Sequence, residues 1–113
     1  GIEIEKYIYN EKIRHEIRSL YSIDNEYVIG HIGRFTEQKN HFFLVEIFCK
    51  YLCINKEVKL VLIGDGELKG DIIDLIRERE IEDKVIIIDN TNEIEKFYQM
   101  FDLFILPSLY TIE

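Results

Sequence analysis

Apolar residues along this chain follow two rhythms, and the change from one to the other marks its elements. Tyr27–Ile32 (YVIGHI), Val58–Ile63 (VKLVLI), Val85–Ile88 (VIII) and Leu103–Leu106 (LFIL) are short, nearly unbroken apolar runs. That is the pattern of strands covered on both faces. Between them the period lengthens to that of a helix. Ile13, Ile17 and Leu20 recur at helical spacing with charges between them, and Asn10 stands where an N-cap belongs, which predicts a helix from about Glu11 to Tyr21. A long apolar helix opens at Lys39 or Asn40 and runs to about Ile54, with Phe42, Phe43 and Phe48 expected to pack it on the sheet. Glu67–Glu80 is amphipathic, with Leu68, Ile72, Leu75 and Ile76 on one side and Lys69, Asp74, Arg77 and Glu78 on the other. Glu93–Met100 predicts a short fourth helix, and residues 1–10 a short extended lead-in.

Strand and helix alternate four times. This predicts an α/β chain: a three-layer, Rossmann-like domain with a four-stranded parallel sheet in the order 3-2-1-4 and right-handed crossovers. A flavodoxin-like order is the alternative. Residues 1–26 form the lead-in and first helix, and 27–113 the sheet-containing domain.

Composition narrows the function. The chain has 113 residues, 47% of them hydrophobic, enough for one compact domain with a modest core. A formal net charge of -8 argues against broad nucleic-acid binding, which needs an excess of Lys and Arg. A local phosphate site needs only a few N–H groups and a pair of cations, so it stays open. No signal peptide or membrane-length apolar run is visible, and the two cysteines read as reduced thiols, so a cytoplasmic setting is expected, with loose attachment to a membrane surface allowed. Cys49 and Cys53, four apart in a helix, read as buried thiols on one face; two thiols alone do not make a zinc site.

In doubly wound sheets ligands bind beyond the carboxyl ends of the strands, and the polar residues cluster there. Gly33 and Arg34 follow the first strand, Gly64, Asp65 and Gly66 the second, Asp89–Asn92 the third, and Ser108 the fourth. Arg34 offers a planar fork suited to paired phosphate oxygens, and Lys39 a point charge at a helix start. Residue types alone leave two readings open: a convergent diphosphate site, or two solvated loop charges. Gly64-Asp65-Gly66 permits a tight turn and close backbone approach, but the next glycine is Gly70, one place off the dinucleotide fingerprint. On its own it reads as a strand-to-helix turn. His31 falls inside the first strand, His41 in the first turn of the second helix near the phosphate site, and His15 among charges. None has a readable Ser or Cys partner, so no catalytic base or nucleophile is assigned.

Four segments in order carry a resemblance: IGHIGRFTEQKNHFFLVEIF, KLVLIGDGELKGDI, EDKVIIIDNTNEIEKFYQMFD and LFILPSLY. Together, over about residues 27 to 110, they resemble the C-terminal domain of family 4 glycosyltransferases, the retaining, GT-B-fold enzymes of polysaccharide and lipopolysaccharide assembly. The resemblance implies a hexose moved from a nucleoside-diphosphate sugar, a UDP-sugar by expectation, to a saccharide or lipid-linked acceptor, with no cofactor and no metal. It implies that Arg34 and Lys39, in the G-R-x-x-x-x-K loop, hold the donor diphosphate. It places Gly33 and the turn Gly64, Asp65 and Gly66 beside the donor, and Asp89, Asn90 and Thr91 by its base.

The pattern then departs. Pro107, Ser108, Leu109 and Tyr110 match the family's P-S-x-x-E-G, but Thr111 stands where the first of two sugar-contacting glutamates belongs, and the second falls beyond Glu113. The resemblance therefore implies part of a donor-binding domain, inactive alone, whose partner is an N-terminal acceptor domain. The fourth strand is expected to leave an apolar edge at 103–106 through which copies associate. A stand-alone or degenerate nucleotide-binding or interaction module is the alternative.

Overall fold

The computed structural model describes residues 9–36, 40–89 and 91–105. Its elements are α1 (Glu11–Leu20), β1 (Tyr27–Ile32), α2 (His41–Leu52), β2 (Val58–Ile63), α3 (Lys69–Glu78), β3 (Val85–Ile88), α4 (Ile94–Tyr98) and β4 (Leu103–Phe104), with a 3₁₀ turn at Glu82–Lys84 before β3. The strands form one sheet in the order β3-β2-β1-β4, and every pairing is parallel. The expected order is the observed one. Residues 1–8, the lead-in, lie outside the described residues, as do 106–113.

Period-two alternation builds the three layers. Ile29, Val58, Leu60 and Leu62 point to the face that carries α2 and α3, where they meet Leu44, Val45, Phe48, Ile72 and Ile76. Val28, Val61 and Ile63 point to the other face and meet Ile17 of α1 with Phe97 and Met100 around α4. Each neighbour along a strand thus serves a different core, which is why the strands read as continuous apolar runs. At Gly30 there is no room for more: a Cβ there would sit 2.5 Å from the ring of Phe101.

Several sequence expectations are corrected. Phe42 and Phe43 are exposed, and only Phe48 of the three packs inward. The core face of α2 runs through positions 41, 44, 45 and 48, so His41 takes the first core position and the two phenylalanines fall beside it. Leu20 is also exposed, at 74%. The inward stripe of α1 passes instead through Arg14, Ile17, Arg18 and Tyr21, and Arg18 is 6% exposed. Cys53 is exposed because α2 ends at Leu52, one residue earlier than the shared face requires. Cys49 is half-buried; burial, then the Glu46 carboxylate, pushes its thiol pKa up, so it is held protonated rather than reactive. Asn10 caps α1 as expected, its side chain accepting from the Ile13 N–H at 3.0 Å.

Candidate functional site

At the carboxyl edge of the sheet the loops after β1 and β2 close on each other. The Gly33 N–H donates to the Ile63 carbonyl and the Phe35 N–H to the Asp65 carbonyl, both at 2.9 Å, while Leu68 N–H donates back to Phe35 at 2.9 Å. Such contact demands glycine. Gly64 has φ +143° and a Cβ there would lie 2.2 Å from the Gly33 carbonyl oxygen; Gly66 has φ +154° and a Cβ there would lie 2.6 Å from the Phe35 nitrogen. The N–H of Gly64 donates to Ile88 and that of Gly66 to its neighbour's carboxylate, Asp65 Oδ1 at 2.8 Å. This glycine turn is therefore a close-packed spacer with its donors engaged, not a cradle of N–H groups aimed at phosphate. Asp65 keeps its charge within its own turn.

Phe35 anchors this shelf from below. It is fully buried, and its ring stacks on His41 with centroids 4.1 Å apart. His41 meets His31 edge-on at 4.8 Å, and His31 Nδ1 lies 2.7 Å from the Ile105 carbonyl oxygen. The two imidazoles tie α2, β1 and the end of β4 together beneath the loop. His41 is a core residue, 2% exposed, and does not face the phosphate site. His31 is buried as expected, and His15 lies exposed on α1.

Arg34 projects from this anchored loop. It is exposed, and its guanidinium makes no ion pair or hydrogen bond among the described residues. A planar cation with free donors, carried beside the buried Phe35, suits an arriving oxyanion. Its expected companion Lys39 lies outside the described residues, and so does Asn90. Asp89 follows β3 directly and pairs with Lys69 at the start of α3. Thr91 is occupied locally, its Oγ1 accepting from the Glu93 N–H at 3.0 Å ahead of α4. The sheet edge thus brings together Gly33, Arg34, Gly64, Asp65, Gly66 and Asp89, with Thr91 turned to capping.

A different polar cluster sits at the amino edge, and sequence reasoning missed it. Asp102, just before β4, accepts from the Val28 N–H at 2.7 Å and from Arg14 at 2.6 Å, and Arg18 approaches at 3.4 Å. Arg18 also donates to the carbonyls of Met100, Asp24 and Glu26. These residues line a cleft of about 390 Å³, but it opens at the wrong end of the strands for a ligand site, and its arginines are tied down. An apolar groove of about 240 Å³ runs beside β4, lined among others by Ile29, Ile47, Tyr51 and Leu103. No described helix is long and apolar enough to cross a membrane.

Residues 12–113 match the family model described as Glycosyl transferases group 1. The chain belongs to that family. It is 32% identical over 111 residues to EpsF of Bacillus subtilis (strain 168), which bears a glycosyltransferase name; the match covers 97% of this chain and 29% of EpsF. It is 27% identical over 117 residues to the UDP-Gal:alpha-D-GlcNAc-diphosphoundecaprenol alpha-1,3-galactosyltransferase of Escherichia coli, covering 97% of this chain and 30% of that one. Among solved structures it is similar to Anabaena HepE in complex with UDP, with a TM-score of 0.84 at 20% identity, covering 97% of this chain and 31% of HepE. The fold is that of GT-B glycosyltransferases. The chain spans about 30% of the length of these relatives.

Proposed function

We propose that this chain supplies the donor-binding part of a retaining, family 4 hexosyltransferase. It takes a UDP-sugar and serves transfer to a saccharide or lipid-linked acceptor in polysaccharide or lipopolysaccharide assembly. The observation that carries this reading is Arg34, an unengaged guanidinium fixed at the carboxyl edge by the buried Phe35. HepE has been solved with UDP and with UDP-glucose, and the Escherichia coli relative is named for a diphosphoundecaprenol acceptor, which supports the donor and acceptor classes. On this reading the protein works in the cytoplasm, at the inner face of a membrane.

In the reaction the bond from the anomeric carbon to the diphosphate oxygen breaks, and the acceptor hydroxyl oxygen bonds to that carbon with net retention. The hydroxyl proton passes to the departing diphosphate or to water, and the nucleoside diphosphate departs carrying the negative charge. Arg34, with Lys39 beside it, is assigned to that developing charge, as fixed cations do for a leaving group. The glycine turn packs the β1 and β2 loops together beside the donor, and Asp89, Asn90 and Thr91 are assigned to frame the base. Acceptor binding and the sugar-contacting carboxylates are assigned outside this chain, so the chain alone is expected to transfer nothing. Its apolar groove and the side of Leu103–Phe104 that pairs with no strand among the described residues are assigned to association between copies.

Titration of UDP against the folded chain tests the reading. Saturable binding is expected, and Arg34→Ala/Lys39→Ala should weaken it by roughly 10- to 100-fold, as for loss of one or two charge-assisted hydrogen bonds. Equal binding by the double variant refutes the diphosphate assignment. A folded parent chain that binds no nucleotide points instead to a non-catalytic module.

A further inference from the structure

Lys69 is not among the residues that the sequence marks for the donor, yet it reaches the same edge. It is the first residue of α3, and its N–H donates to the Gly66 carbonyl at 3.2 Å, so its backbone is fixed to the glycine turn. Its ammonium crosses to Asp89 Oδ1, on the first residue beyond β3. The two ends are unequal. The Lys69 side chain is 21% exposed, whereas that of Asp89 is 85% exposed. The lysine stem is packed and its charge satisfied; the carboxylate stands in solvent with Oδ2 unengaged among the described residues.

A second tie holds the same exit. The Gly64 N–H donates to the Ile88 carbonyl at 2.9 Å, so the end of β3 is attached to the β2 loop by main chain and to α3 by the ion pair. Along the edge the chemistry is ordered. Among the described residues Arg34 stands as an unpaired cation beyond β1 and Asp89 Oδ2 as an open acceptor beyond β3, two strands away, on the order of 10 Å at ordinary strand spacing. A phosphate meets an unpaired cation at one end, and at the other a charge-balanced pair that offers only an acceptor oxygen. A nucleoside diphosphate has this polarity, with its phosphates at one end and the N–H and O–H donors of base and ribose at the other.

We infer that Lys69 is a positioning residue for donor selection: it holds the Asp89 carboxylate as the acceptor that reads the nucleoside end. This rests on the nucleotide-sugar reading above. Lys69 acts through Asp89 and does not touch phosphate. The consequence is separable, because a phosphate ligand affects every nucleoside diphosphate and inorganic pyrophosphate alike, while a base-side positioner changes the ratio between nucleotides.

The test is calorimetric titration of UDP, ADP, GDP and inorganic pyrophosphate against the chain and its Lys69→Met, Lys69→Arg, Asp89→Asn and Arg34→Ala variants, each checked for unchanged circular dichroism. Wild type is expected to prefer UDP. Lys69→Met should reduce the UDP:ADP affinity ratio at least threefold and leave pyrophosphate unchanged. Lys69→Arg should restore the ratio, and Asp89→Asn with Lys69→Met should be no worse than Asp89→Asn alone. Arg34→Ala should weaken all four ligands together. Lys69→Met weakening pyrophosphate as much as UDP overturns the positioning role, as does an unchanged ratio or a wild type without preference. A wild type that binds none of the four removes the nucleotide-sugar reading and this inference with it, whereas an unchanged ratio removes only the inference.

Discussion

Asp102→Ala should unfold this chain several degrees earlier, because one carboxylate joins three elements at the amino edge. Val28 is fully buried, and its N–H loses an acceptor at 2.7 Å. An orphaned buried donor costs about 1–3 kcal/mol. The Arg14 pair, with side chains 22% and 23% exposed, adds about 1 kcal/mol at most. Arg18 keeps its three carbonyl acceptors, so its 3.4 Å contact adds little. The sum is about 1–4 kcal/mol, which at this chain length lowers Tm by roughly 4–16 °C. Asp102→Asn retains an oxygen for Val28 and loses only the charge, so it should cost about 1 kcal/mol. Thermal melts followed by circular dichroism at neutral pH measure both. Equal losses for the two variants, or a loss below about 1 kcal/mol for alanine, would refute the joint. Acid gives a second reading of the same group. Burial pushes the Asp102 pKa up, but the Val28 N–H and the Arg14 and Arg18 charges outweigh it and hold the carboxyl below its ordinary range. A pKa depressed in the folded state adds stability that is present above the unfolded value, about 3.9, and is lost as pH falls through the folded value. The gap between wild type and Asp102→Asn should therefore be full at about pH 6 and close below about pH 4.

Two other outcomes follow from the carboxyl edge and the open side of the sheet. Gly64→Ala forces a Cβ to 2.2 Å from the Gly33 carbonyl at φ +143°, so at least about 2 kcal/mol of stability should be lost together with UDP binding; a melt within about 0.5 kcal/mol of wild type contradicts the close approach. The chain should self-associate through the groove beside β4 once salt at about 0.5 M screens its net charge of -8, and Leu103→Lys should keep it monomeric; light scattering that shows a wild-type monomer at high concentration and salt counts against this.

The architecture was legible because burial on both faces leaves an unmistakable trace. Each apolar run became a strand; alternation left a Rossmann-like and a flavodoxin-like order open, and the Rossmann-like choice is the observed β3-β2-β1-β4. Side-chain direction was less legible. Phe42 and Phe43 are as apolar as Phe48, and only the helix phase set by His41 puts them outside. A histidine in the core face gave the wrong phase, because its ring buries by stacking on Phe35. The amino-edge joint was invisible for a related reason. Arg14, Arg18 and Asp102 are more than eighty residues apart across the pairing, and charges on a helix usually signal its wet side. Their spacing at 14 and 18, one turn apart and flanking Ile17, was the available signal.

The two edges of the sheet divide the work, and this bears on how the donor site is built. At the amino edge charges are paired and hold elements together. At the carboxyl edge the backbone joins the β1 and β2 loops, through Gly33, Phe35, Gly64 and Leu68, the Lys69–Asp89 pair ties β3 to α3, and Arg34 is left unengaged among the described residues. A loop fixed by its own main chain can present a cation without a neighbouring carboxylate to neutralise it. Its backbone is in place before the ligand arrives, so the ordering cost of binding is confined to the Arg34 side chain. It also explains the glycines without asking them to bind phosphate. Gly64 and Gly66 are needed where the two loops touch, and substitution there disturbs Arg34 from beneath. If the glycine turn itself met the nucleoside, Gly64→Ala would weaken UDP more than pyrophosphate; an equal proportional loss for the two places the disturbance at the diphosphate end, where Arg34 stands.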